Sequence, residues 1–151
     1  DGWFRAANRQ IEHIAVQNPD DDPNLTHLID RDIYDLDHVA IHRIGNLTFL
    51  SGTENPAIGS APWPKKLFFY WSLTNRGTDG HVSRQDLFSS LGINALPPSL
   101  QGLSESADFV NHLAPLVQYG LEHNTWTLAA IQRRGENLAD RAFTILGDWR
   151  L

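Results

Sequence analysis

The chain contains no cysteine and no methionine. Without cysteine there is no disulfide, no thiolate zinc site and no sulfur nucleophile, so any chemistry must come from oxygen and nitrogen groups. That composition suits a reducing compartment, and a cytoplasmic location is the expectation. The missing methionine extends to position 1, which is Asp1, and no charged start followed by an apolar stretch resembles a signal peptide. The chain therefore reads as excised from a longer protein. Long apolar runs are lacking too. Nothing approaches the roughly 20 residues needed to span a bilayer, and no membrane partner is expected.

An excess of positive charge is also absent. Twelve Lys and Arg stand against 18 Asp and Glu, for a formal net charge of −6, the wrong sign for tight DNA binding by counterion release alone. The imbalance is local, since residues 1–40 hold nine of the acids against three bases while the remainder has nine of each. Long-range attraction to a polyanion would then have to come from elsewhere in the parent protein.

What is present is ample core material. Hydrophobic residues make up 41% of 151 residues and include five tryptophans, which argues against disorder and for one domain spanning 1–151. Gln10–Gln17 sets β-branched residues around Glu12 and His13 and predicts a short strand, closed by Asn18-Pro19-Asp20-Asp21-Asp22-Pro23. One helical turn is expected near Leu28–Leu36. Val39–Leu50 reads as a second strand region, densest at Leu47–Leu50. Ser51 or Thr53 can cap a short helix carrying Glu54 and Asn55, with Pro56 tolerated in its first turn. Trp63–Leu73 predicts a strongly apolar helix, Asn75–Gly80 a loop, and Ser83–Leu91 and Ser104–Tyr119 two more helices. Leu128, Ile131, Leu138, Ala142, Ile145 and Trp149 recur at helical spacing in a last one. The expected class is α+β and mostly helical, with a core motif over 10–70 and a helical remainder over 83–151.

Four polar groups stand out. His13 has the residue type of a general base, because an imidazole is largely neutral near pH 7. Glu12 beside it and Asn55 downstream offer the oxygen donors that a hard divalent ion prefers. On an ideal strand Glu12 and His13 point to opposite faces, so both could act at one place only if the strand kinks there. Asn46, at the start of the second strand, can bridge backbone groups of the loop. Strand, long loop, strand and helix is the order of a ββα-metal arrangement.

Taken together, Glu12-His13-Ile14-x-x-Gln17, Ile44-Gly45-Asn46-Leu47-Thr48-x-Leu50, and Asn55 followed by Lys65, Lys66 and Tyr70 resemble the C-terminal nuclease domain of GmrSD-type restriction enzymes. They are similar as well to phosphorothioation-sensing antiphage nucleases of the SspE type. Trp126, Ile131, Arg134, Leu138 and Ala142 extend the likeness to the closing helix, while 75–124 matches nothing in the pattern. The resemblance implies an HNH-type (His-Me finger) endonuclease of a restriction or antiviral defence system. In it His13 is the base, Asn46 the catalytic-loop asparagine that fixes the hairpin, and Glu12 and Asn55 the ligands of Mg²⁺ or Mn²⁺. DNA is the implied substrate, with an N-terminal sensor or nucleotide-hydrolysing domain as partner. Val16 stands where the family usually has proline. Ser60 stands where a second asparagine is common, leaving Asn55 and Ser60 in competition for the ligand position.

Each motif has a plainer reading beside it. Lys65, Lys66 and Arg134 are expected as DNA contacts, or alternatively as solvated helix positions. His38 and His42, four apart, could share a helix face as ligands. Their strand-like surroundings favour surface or packing histidines instead. Phe68-Phe69-Tyr70-Trp71 cover every helix face, as in a buried helix rather than a base-stacking platform. The rival functional classes are a catalytically silent DNA-binding or protein-docking module with the same fold, and a nuclease acting on RNA.

Overall fold

The computed structural model describes residues 9–19, 30–35, 39–52, 54–74, 111–123 and 125–147. Strand β1 (Arg9–His13) pairs antiparallel with β2 (Leu47–Ser51) in a register that sets Glu12 against Thr48 and His13 against Leu47. Alternation along each strand separates two faces. Glu12, Thr48 and Leu50 are buried, whereas Ile11 and Phe49 are about half exposed on the other side, 55% and 50%.

Helix α1 (Glu54–Ile58) follows β2 at once because the turn caps it reciprocally. Glu54 N–H donates to Ser51 Oγ at 3.1 Å and Ser51 N–H donates to a Glu54 carboxylate oxygen at 2.9 Å, the two halves of a capping box. Of the two caps allowed by the sequence, Ser51 makes this bond; Thr53 lies outside the described residues. Gly59 ends α1 with φ +46°, a left-handed conformation that favours glycine.

Helix α2 (Trp63–Thr74) is the centre of the molecule. Trp63, Leu67, Phe68, Phe69, Tyr70, Trp71 and Leu73 are all buried, so apolar character on every face reflects enclosure on every side. Each such side chain contributes about 1.5–3 kcal/mol of burial. Pro64 sits in the first turn, where its missing N–H costs no helical bond.

Helix α3 (Ala114–Glu122), preceded by a 3₁₀ turn at Asn111–Leu113, lies against α2. The approach is close at Gly120, where a Cβ would stand 2.3 Å from Leu67 Cδ1. Trp126 then stacks on Trp63 with ring centroids 5.1 Å apart and meets Tyr119 edge-on at 5.3 Å.

Helix α4 (Leu128–Gly147) starts on two caps. Ala130 N–H donates to Thr127 Oγ1 at 3.2 Å, and Leu128 N–H donates to the Asp30 carboxylate at 2.8 Å. Its first turns cross the 3₁₀ turn Ile44–Asn46 so tightly that a Cβ on Gly45 would fall 1.8 Å from the Ile131 carbonyl oxygen.

The α+β, mostly helical expectation holds, with a sheet of two strands. The second strand is shorter than the sequence predicts. Val39–His42 and Ile44–Asn46 are 3₁₀ turns, and extended backbone begins only at Leu47. The expected turn near 28–36 is a 3₁₀ helix at Arg31–Ile33. Regular α-helix before Tyr119 starts at Ala114, and the earlier part of that prediction, 104–110, lies outside the described residues, as do Asn75–Gly80, Ser83–Leu91 and Trp149. The apolar stripe of α4 is buried only at its start. Phe143, Ile145 and Leu146 are exposed.

Candidate active site

The sheet faces decide what each polar side chain can do. β1 does not kink at Glu12, so its carboxylate points inward while the imidazole of the next residue lies on the opposite side. Inside, Lys66 Nζ donates to Glu12 Oε1 at 2.5 Å and to the His13 carbonyl oxygen at 2.5 Å, and Tyr70 Oη donates to the same carboxylate oxygen at 3.4 Å. Both charged side chains are almost fully enclosed, at 2% and 6% exposure. Burial pushes the Glu12 carboxyl up and the Lys66 ammonium down, and their mutual attraction opposes both shifts. Burial, with Glu12 next to it, also raises the Tyr70 phenol well above its ordinary value.

Two sequence expectations change here. Glu12, expected as a metal ligand, is engaged by Lys66 within the protein. Lys66, expected at DNA, is buried beneath the sheet. The physical reason is shared, since each charge is the other's solvent substitute in a low-dielectric interior. Arg134 is the third case. Its Nη1 donates to the carbonyls of Ile44, Gly45 and Leu47 at 3.2, 2.8 and 2.7 Å, so the guanidinium closes the turn before β2 rather than projecting to a phosphate. Lys65, one residue before Lys66, is exposed on the first turn of α2.

Asn46 is wholly buried and bonded at every polar atom. Its Oδ1 accepts from Ala15 N–H at 2.9 Å and Trp126 Nε1–H at 3.0 Å, while its Nδ2 donates to the Ile41 carbonyl at 2.9 Å. Its own carbonyl accepts from Ile14 N–H at 2.9 Å. With two N–H donors converging on one atom, that atom must be the amide oxygen. Asn46 thus ties the segment after His13 to the turn before β2 and to the chain entering α4.

His13 ends β1 on the outer side, partly exposed. Its Nε2 lies 3.3 Å from His42 Nδ1 and 3.5 Å from the Gln17 amide nitrogen, the two rings meeting edge-on at 83°. Partial burial lowers the pKa of His13 below its ordinary value, with His42 and Lys66 adding to the effect. The ring is therefore held neutral and able to accept a proton.

His42 is the site residue that sequence reasoning assigned to the surface. It is exposed, but the fold sets it beside His13. No local pattern signals this pairing, because the turn at 41–46 that sets residue 42 beside the end of β1 is held by the bond from Asn46 Nδ2 to the Ile41 carbonyl. His38 lies outside the described residues.

Asn55 reaches the same strand from α1. Its Nδ2 donates to Gln10 Oε1 at 3.1 Å and to the Ile11 carbonyl at 3.2 Å, and its Oδ1 has no hydrogen-bond partner among the described residues. It meets β1 two residues before His13, about 6.6 Å along the strand at the usual rise. Ser60, its competitor, is exposed in the turn after α1.

These donors do not fit a hard cation shared by Glu12 and Asn55, because the carboxylate is turned inward onto Lys66. Among the described residues no group of three or more His, Asp or Glu side chains converges. No described helix is long and apolar enough to cross a membrane.

The family model for the C-terminal domain of GmrSD restriction endonucleases matches residues 3–141. No curated protein and no solved structure matches the chain.

Proposed function

The chain belongs to the family of C-terminal domains of GmrSD restriction endonucleases, and from that premise we propose that it is a DNA-cleaving domain in which His13 is the general base. The observation that carries this reading is the placement of a neutral imidazole at the open end of β1, its Nε2 turned to exposed partners. A water displacing the contacts of His13 Nε2 to both His42 and Gln17 would give up its proton to Nε2 as its oxygen attacks phosphorus. The bond to the 3′ oxygen then breaks, that oxygen takes a proton from solvent to become a 3′ hydroxyl, and a 5′ phosphate is left.

In this reading β1, β2 and α1 form the ββα core of an HNH-type nuclease. Asn46 positions His13 by fixing the backbone on either side of the hairpin. Glu12, Lys66 and Tyr70 support His13 from beneath, through the bond from Lys66 to its carbonyl. Mg²⁺ or Mn²⁺ belongs to the proposal as a requirement to be measured. Asn55 Oδ1 would offer the ion an oxygen donor, whereas the Glu12 carboxylate is turned inward onto Lys66. The proposed setting is cytoplasmic defence against foreign or modified DNA, with an N-terminal sensor or nucleotide-hydrolysing domain of the parent protein supplying recognition and most of the grip.

Plasmid nicking tests this. The wild-type chain should nick supercoiled DNA with Mg²⁺ or Mn²⁺ and stop on chelation, and His13→Ala should lose cleavage while keeping its circular dichroism and Tm. Undiminished cleavage by that variant would remove His13 from the reaction. The rival, a silent DNA-binding or docking module, is favoured by one observation: Glu12, the expected acidic ligand, is engaged by Lys66 inside the fold. Retention of DNA in a gel with no cleavage at high protein concentration would select it. Competition between DNA and RNA substrates decides the nucleic acid.

A further inference from the structure

The outer end of β1 holds three donor side chains that the proposed cleavage does not exhaust. His13 Nε2, His42 Nδ1 and the Gln17 amide come together at 3.3 and 3.5 Å around the His13 nitrogen. Two imidazoles of a tetrahedral zinc site, each about 2.0–2.1 Å from the ion, place their nitrogens about 3.3–3.4 Å apart. The observed spacing is that of two ligands of one borderline ion as much as that of a hydrogen bond.

The third donor is consistent with this. Which end of an amide is oxygen is an assignment, and turning the Gln17 side chain puts Oε1 where Nε2 now stands, 3.5 Å from His13 Nε2. Gln17 and His42 are exposed, which gives an ion a path in and leaves the fourth position to water.

We propose that His13, His42 and Gln17 form a binding site for Zn²⁺ or a similar imidazole-preferring divalent ion, separate from the oxygen-ligated cation expected to support cleavage. Binding requires both facing nitrogens as lone pairs, so the His42 ring presents Nδ1 to the ion with its proton on Nε2. Imidazole ligands select ions of the zinc and copper group, whereas Mg²⁺ prefers oxygen. Micromolar Zn²⁺ would therefore occupy the pair without competition from millimolar Mg²⁺. Its consequence rests on the nuclease reading: an ion on His13 Nε2 occupies the lone pair that would accept the proton from water, and cleavage stops. The binding itself does not depend on that reading.

Isothermal titration of the full chain with ZnCl₂ in the presence of Mg²⁺, without DNA, tests the site alone. Wild type should bind one Zn²⁺ at the site, and His123→Ala, an exposed histidine elsewhere, should bind equally. His42→Ala and His42→Gln should weaken binding by more than about tenfold, the scale seen when even an outer-shell partner is removed. Gln17→Ala should weaken it less. Imidazole ¹⁵N resonances of His13 and His42 should shift together on zinc addition. Absence of zinc binding, unchanged affinity in both His42 variants, or shifts at other histidines only would overturn the site. Zinc binding without inhibition of an active enzyme would keep the site and remove His13 from the base role.

Discussion

Two neighbouring residues, Glu12 and His13, acquire opposite environments because consecutive strand side chains face opposite ways. For His13 the partial burial disfavours imidazolium, so its folded pKa lies below the ordinary 6.5. As pH falls, the unfolded chain protonates this ring first, and the folded protein keeps a competent base further into acid. The acidic limb of the kcat/KM profile should accordingly have its midpoint below pH 6.5; a midpoint at or above that value assigns the limb to another group. For Glu12 the outcome is structural. Replacing one member of a buried pair leaves the other charge uncompensated, so Glu12→Gln and Lys66→Met should each cost about 3–5 kcal/mol in urea unfolding. The double variant Glu12→Leu/Lys66→Met should recover much of that loss, since apolar groups of similar volume need no partner. Additive losses in the double variant would show that the two charges do not depend on each other.

Among the elements, the tightest junction is the crossing of α4 over the turn at Ile44–Asn46. A methyl at Gly45 would meet a backbone carbonyl, which cannot rotate away, whereas a methyl at Gly120 would meet the end of the Leu67 side chain, which can. Gly45→Ala should therefore destabilise at the upper end of the overpacking range, about 3 kcal/mol, and Gly120→Ala by less. Thermal denaturation of the two variants checks the order, and the reverse ranking would contradict the crossing. The same junction marks the limit of what the sequence reveals. β1, the strand at Leu47–Ser51, the cap at Ser51, the buried α2 and the start of α4 are legible, because period and capping are local properties. The turns at 39–46 are not, because they are held by Asn46 through partners at Ala15 and Trp126, the latter 80 residues away. The internal partners of Lys66 and Arg134 are not legible for a similar reason. A cation read from sequence defaults to the surface, and what engages these two is a carboxylate 54 residues away and three carbonyls of a distant turn. His13 and Asn46 could be picked out by their motifs. The pairing of His13 with His42 could not, since it depends on the turn that hid it.

For the molecule as a whole, charge sets how DNA can be held. The chain carries a formal −6, and two of its twelve basic residues, Lys66 and Arg134, are directed to internal acceptors. Affinity for nucleic acid grows with the number of phosphates neutralised, each releasing counterions and steepening the dependence on salt. A domain of net negative charge should neutralise few phosphates by itself. Alone, it should bind a duplex no more tightly than about 10⁻⁴–10⁻⁶ M at physiological salt, with a log–log salt slope shallower than about −3. Lys65 is the lysine of the Lys65-Lys66 pair that the structure leaves exposed, so Lys65→Ala should reduce that slope by about one phosphate. Fluorescence anisotropy with a labelled duplex, titrated between low and physiological salt, measures both quantities. Nanomolar binding with a steep slope would mean that this domain grips DNA by itself, and the division of labour with a separate recognition domain would have to be given up.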